Sequence, residues 1–260
     1  MNSKTRLCVL FISLLIVLIF AGLIEYSAHG DERENSYVCG GYYPFSEGFK
    51  WNYSFTIYSG EESVVYDLNV INESTGTLSG GPTLTQAIKL EEVKNQGKVL
   101  AKYPRILWLK DDELVEIPQR NKERSSLKKI LPCPPVKGSS WTNRDEIDFA
   151  FFDDNKSVAL KLKYRIELDY EVISLPAGEY RSTIKVVVHG EKTVRRNQSR
   201  FTVTFDEQTW YGTETGLLKE TLIKKVLGKK NGASDRKIYW EKKELVLENL
   251  EKPKRANKYS

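Results

Sequence analysis

At 260 residues, with 40% hydrophobic and 29% charged side chains, the chain is long enough to bury a sizeable core, and its composition excludes general disorder. The formal net charge of +5 is small and forms no concentrated patch, so composition gives no basis for a nucleic-acid partner.

The first thirty residues differ in kind from the rest. Lys4 and Arg6 precede LCVLFISLLIVLIFAGLI (Leu7 to Ile24), which carries no charge, and Glu25, Asp31, Glu32 and Glu34 follow it. Cations before an apolar span and acids after it predict an N-terminus in the cytoplasm and a body outside the membrane. The span is near the lower limit for crossing a hydrocarbon core of about 30 Å. It is also longer than the roughly 7–15 apolar residues of a signal peptide. Two fates are therefore compatible with residues 1–30: a signal peptide cut near Ala28-His29-Gly30, or a retained anchor formed by residues 7–24. Either predicts an extracytoplasmic protein with the membrane as a partner through this segment. Residues 31–40 read as a polar spacer.

Beyond the spacer, period-two alternation dominates, the mark of half-buried strands. Trp51, Tyr53, Phe55 and Ile57 alternate with polar residues, as do Val64, Tyr66, Leu68 and Val70. ILWLKDDELVEIP (Ile106 to Pro118) predicts a hairpin turning near Asp111-Asp112. In VALKLKYRIELDYEVI (Val158 to Ile173), one face holds Leu160, Leu162, Tyr164, Ile166, Leu168, Tyr170 and Val172, and the other is charged. So long a strand is expected to bend or break. PAGEY (Pro176 to Tyr180) predicts a tight turn, with Gly178 suited to positive φ. TIKVVVHG, RFTVTFDEQTWY and IYWEKKELVLEN continue the strand pattern. Two segments predict short helices: Arg124 to Ile130, and Leu217 to Gly228, where Leu218, Leu222 and Val226 recur every four positions. KPKRANKYS predicts a basic, disordered tail over 251–260.

One pattern occurs twice: Pro44, Gly48 and Trp51 stand as P-x-x-x-G-x-x-W, and Pro134, Gly138 and Trp141 repeat the spacing. Proline cannot donate to a sheet ladder and marks the approach to a strand. Glycine supplies the turn, and tryptophan becomes an early inward plug of the strand that follows. The motif reads as a strand-entry corner, and two copies suggest related halves over 41–130 and 131–250. Cys39 and Cys133 each lie just ahead of one copy, whereas Cys8 lies inside the apolar span. Outside the cytoplasm two such thiols predict a disulfide.

YYPFSEGFKWNY (Tyr42 to Tyr53) resembles the opening segment of the TapB-like family of exported bacterial β-proteins, whose function is unknown. Gly138 with Trp141, Pro176-Ala177-Gly178 with Tyr180, and Gly212, Gly216, Leu217, Leu218 and Lys219 match later segments of that family in order. Phe45 stands where the family usually has leucine. The resemblance implies export and a β-rich body, and it supplies no catalytic residues.

The inventory for catalysis is thin. The two histidines are His29, in the leader, and His189, at a predicted strand end. No zincin, nucleophile-elbow, P-loop or dinucleotide motif occurs. Asp153-Asp154 before Asn155 invites a calcium reading, but the spacing fits no known loop and a turn explains it better. Asn52, Asn72, Asn155 and Asn197 each open an N-x-S triplet. Lys192 to Arg200 is the densest basic loop.

The sequence thus predicts a mainly β protein. Its expected fold is a large curved antiparallel sheet or half-barrel built from two related halves, with one or two short helices and an N-terminal apolar helix. The leading functional expectation is a non-enzymatic, envelope-associated protein that binds or scaffolds an envelope protein or lipid, without cofactor, metal or catalytic residues. Two alternatives stand beside it. One is a carrier of an apolar ligand lined by Trp51, Tyr53, Trp141 and Tyr164; the other is a hydrolase using paired carboxylates.

Overall fold

In the computed structural model the chain divides into two units, 1–36 and 37–260. Described residues all lie in the second: 37–38, 41–78, 84–110, 113–117, 127–152, 157–169, 172–196, 199–228 and 236–253. The apolar span, Cys39, the Asp111-Asp112 turn, Asp153 to Asn155, Asn197 and residues 254–260 lie outside them.

A short ribbon pairs β1 (Tyr37–Val38) with β2 (Tyr43–Pro44). The chain then runs as a meander through β3 (Lys50–Ser59), β4 (Glu62–Leu78), β5 (Leu84–Asn95), β6 (Lys98–Lys110), β7 (Glu113–Ile117) and β8 (Lys128–Pro132). A second run begins with β9 (Ser140–Ile147) and β10 (Val158–Asp169). It leaves the sheet for a ribbon of β11 (Ile173–Leu175) and β12 (Gly178–Tyr180), turning at Gly178 with φ 133°. It returns through β13 (Thr183–Arg196), β14 (Ser199–Gly212), β15 (Gly216–Gly228) and β16 (Arg236–Glu251).

β16 pairs antiparallel with β3, so the predicted halves share one sheet of order β8-β7-β6-β5-β4-β3-β16-β15-β14-β13-β10-β9. This twelve-stranded antiparallel sheet is nearly closed into a barrel. Closing a sheet hides its apolar face and covers its edges. Each half contributes six strands, and each begins at a proline–glycine corner, Trp51 and Trp141 both being the second residue of their strand.

Alternation decides which side of each strand is buried. In β10, Leu160, Leu162, Tyr164 and Ile166 are buried while Lys161, Lys163 and Arg165 face solvent. The larger core joins these residues to Leu107, Leu114, Leu131, Ile184, Val186, Val203 and Phe205. A smaller cluster holds Phe49, Trp51, Tyr53, Val70, Leu218, Leu245 and Leu247. Each fully buried large side chain contributes about 1.5–3 kcal/mol. Trp51 donates its indole N–H to the Thr215 carbonyl at 2.6 Å, so the polar edge of this plug is satisfied.

Neither short helix expected in the body is present among the described residues, which contain no helix, and so none long and apolar enough to cross a membrane; the expected N-terminal apolar helix lies outside them. Leu217 to Gly228 lies within β15, and Lys128 to Ile130 lies within β8. The error has a simple origin. A repeat of four is also a multiple of two, so Leu218, Leu222 and Val226 share one face of a strand as readily as one face of a helix. Strands on both sides of β15 then supply its hydrogen bonds.

Candidate binding site in the sheet interior

Paired residues in adjacent strands share a face, so the register shows which charges point inward. Lys89 of β5 pairs with Arg105 of β6, and Leu107 beside it pairs with Glu116 of β7. Glu116 pairs with Lys128 of β8. Arg105 forms a fork on Glu116, its Nε donating at 2.9 Å and its terminal nitrogen at 3.0 Å. Its other terminal nitrogen donates to Glu91 at 2.9 Å. Such bidentate pairs are strong and directional. Burial works against the Glu116 anion, but Arg105 outweighs it and holds the carboxyl below its ordinary range.

The ladder of charge continues across the only break in the sheet order. Lys128 reaches from β8 to Asp145 of β9 at 3.0 Å. Beside it, Trp141 and Asn143 of β9 donate to the Lys129 carbonyl at 3.1 and 2.8 Å. Side chains, not a backbone ladder, therefore join the two ends of the sheet. Burial opposes the Lys128 ammonium, yet Tyr164, Asp145, Glu116 and Glu207 around it raise its pKa above the ordinary value.

Next to this ladder is a cavity of about 260 Å³. Its lining mixes apolar side chains, Phe55, Leu68, Val70, Val93, Leu217 and Leu245, with Lys89, Glu91, Arg105, Glu220 and three tyrosines. Arg105 borders this space, and its side chain keeps 36% of its surface. Lys89 is the most enclosed of the cations, 6% exposed, with Nζ 4.0 Å from the Trp51 ring centroid and 4.2 Å from that of Tyr43. Burial, followed by repulsion from Arg105, lowers its pKa to about 7. Glu220 moves the other way: burial and then the nearby Glu207 raise its carboxyl to about 8, leaving it largely protonated at neutral pH.

One of the four residues expected to line an apolar ligand borders the cavity. Tyr53 does so, and its hydroxyl donates to the Leu217 carbonyl at 3.0 Å. Trp51 is buried behind Lys89 and stacks on Phe49 with centroids 5.5 Å apart. Trp141 and Tyr164 stack on each other at 5.1 Å beside the seam. His189 is exposed, its Nδ1 2.7 Å from Asp206. Asn72 is buried, with its amide donating to the Pro44 and Ser46 carbonyls at 3.3 and 3.0 Å, so it serves the first corner and is not a surface acceptor. Among the described residues no group of three or more His, Cys, Asp or Glu side chains is placed to hold a metal ion.

The inward charges were absent from the sequence-based site. Glu220 could have been found, because it interrupts the apolar register of Leu218 and Leu222. Glu207 likewise interrupts Val203, Phe205 and Tyr211. Lys89 gives no such signal. Its flanking Ile88 and Leu90 suggest the opposite orientation, yet the sheet turns Ala87, Lys89, Glu91 and Val93 inward.

No family model matches the chain, and no curated protein matches it, so the TapB-like resemblance rests on the residues quoted for it. Two solved structures are similar to the chain at low identity. One is a candidate exported protein of YmcC-like fold from Bacteroides fragilis, 13% identical, with a TM-score of 0.46 over 82% of this chain and 100% of that one. The other is a candidate lipoprotein from Parabacteroides distasonis, 15% identical, with a TM-score of 0.42 over 82% of this chain and 99% of that one.

Proposed function

We propose that the protein is exported, stays at the cell envelope, and holds a small amphipathic molecule inside its sheet. The leader pattern supports export: Lys4 and Arg6, then an apolar span, then acidic residues. The observation that carries the binding role is the cavity, whose lining is largely apolar with a few charged and tyrosine side chains. Binding pockets combine a mostly apolar lining with a few placed polar groups.

The hairpin ends of the strands that line this cavity suit such a ligand. Val64 lies on the same face of β4 as Leu68 and Val70, at the β3–β4 hairpin end, and is 45% exposed. Tyr103, which borders the cavity, is 54% exposed, and Leu100 stands exposed near the neighbouring β5–β6 hairpin. Exposed apolar side chains grouped in this way mark contact sites for apolar partners.

Native mass spectrometry of the protein, secreted through an oxidising compartment, tests the reading. Co-purified mass, or mass acquired from added single-chain amphiphiles, is the expected result. A clean mass that stays clean when envelope lipids and short amphiphiles are added overturns it. That outcome would leave the scaffolding role at the membrane surface, to be pursued by crosslinking.

A further inference from the structure

Lys89 has an enclosed amine for which the described part of the fold supplies no carboxylate partner. Among the described residues no carboxylate lies within ion-pair distance of its Nζ, and no acceptor takes a hydrogen bond from it. The carboxylates nearest along the ladder, Glu91 and Glu116, are engaged by Arg105. The rings of Tyr43 and Trp51 cover two sides of the cation with their π faces but accept no conventional hydrogen bond. An ammonium has three N–H donors, and the described residues supply those of Lys89 with no acceptor. The remaining side of Lys89 borders the cavity.

We propose that Lys89 seats the carboxylate head of a medium-length, single-chain amphiphile, whose tail lies along Phe55, Leu68, Val70, Leu217 and Leu245. This assignment rests on the interior-binding role proposed above and names the ligand class for it. Charge sets the head: Arg105 is already paired with two carboxylates, Glu91 and Glu116, so Lys89 is the lining cation without an anionic partner. The largely protonated carboxyl of Glu220, which also lines the cavity, adds little negative charge against an incoming anion. Space sets the tail. At about 30 Å³ per water-sized heavy atom, a volume of about 260 Å³ holds about nine of them, close to the size of octanoate and far short of a two-chain lipid.

Isothermal titration of the protein, produced from its full sequence, with octanoate, octanol and acetate tests the seat. Octanoate is expected to bind at least about tenfold more tightly than octanol, a difference of about 1.4 kcal/mol. Acetate, which lacks the tail, should bind far more weakly. Lys89→Met should abolish the preference for octanoate while retaining octanol, which also reports an intact cavity. If octanoate and octanol bind the wild-type protein equally, or if Lys89→Met leaves octanoate affinity unchanged, the seat is wrong while interior binding stands. If neither ligand binds, interior binding fails and the seat fails with it. The wild-type preference needs no variant, so poor folding of Lys89→Met cannot shelter the proposal.

Discussion

Gly48 and Gly138 make the same two-part contact in the two halves of the sheet. Gly48 donates its N–H to the Asn72 carbonyl at 3.0 Å, and the Asn72 N–H returns to the Phe49 carbonyl at 2.9 Å. Gly138 donates to the Ile166 carbonyl at 2.9 Å, and the Ile166 N–H returns to the Ser139 carbonyl at 2.9 Å. Both glycines have φ of 84°. The tryptophans that follow pair at equivalent places, Trp51 with Val70 and Trp141 with Tyr164. The repeated motif is thus a corner that locks the turn to the neighbouring strand before the tryptophan plugs the interior.

Substitution at the two corners should therefore separate backbone strain from crowding. Gly138→Ala meets open space, so its cost is the left-handed backbone alone, about 1–2 kcal/mol. At Gly48 a new Cβ also comes 3.4 Å from Pro253, so Gly48→Ala should cost at least as much. Chemical denaturation of both variants gives the comparison. A neutral Gly138→Ala would refute the requirement for a left-handed turn.

The seam offers a second test. Trp141 and Asn143 both donate to the Lys129 carbonyl, so they share one acceptor. Trp141→Phe and Asn143→Ala should each lose about 0.5–1.5 kcal/mol. The double variant should lose less than their sum, because residues in one network are not additive. Amide exchange should show faster opening of β8 and β9 in both variants while β14 and β15 keep their protection. Strict additivity in denaturation would argue against a shared role in closing the sheet.

Glu220 and Lys89 should leave opposite marks on stability as pH changes. The unfolded Glu220 carboxyl loses its proton near 4.5, while the folded one holds it to about 8. The folded state binds the extra proton in that window, so this contribution falls as pH rises from about 4.5 to 8 and is constant above. Glu220→Gln removes the titration, so its stability relative to wild type should improve steadily across the window and then level off. For Lys89 the folded state releases its proton near 7 and the unfolded state near 10.5, so its contribution rises with pH over that interval. Thermal melts of wild type, Glu220→Gln and Lys89→Met at matched pH values read both slopes. Parallel curves for wild type and Glu220→Gln from pH 5 to 8 would contradict the buried-acid assignment.

A disulfide between Cys39 and Cys133 is expected for the exported protein. Its closed loop would run from residue 39 to residue 133, and chain-entropy models give about 4–5 kcal/mol for a loop of that order. Unreduced protein should weigh two hydrogens less than reduced protein, and its stability should fall on reduction. Peptide mapping that finds both cysteines alkylated without reduction would overturn the pairing.

How much could be read before the fold was known depended on the element. The β10 pattern was legible because its polar and apolar residues alternate without exception from Leu160 to Asp169, although the chain leaves the sheet sooner than alternation alone suggests. The β15 pattern was ambiguous because its apolar spacing satisfies both periods. The charged ladder could not be read, since Lys89, Arg105 and Glu116 look like ordinary solvent-facing residues in their own strands.

By itself, the sequence determined the strands, the two glycine corners and the leader pattern, because alternation, turn chemistry and apolar length are local properties. The tertiary structure alone decided that both halves share one sheet, that side chains join its ends, and that a lysine faces inward between two aromatic rings. Those outcomes depend on strand register and curvature, which bring residues distant in the chain onto one enclosed face, and no local pattern encodes them.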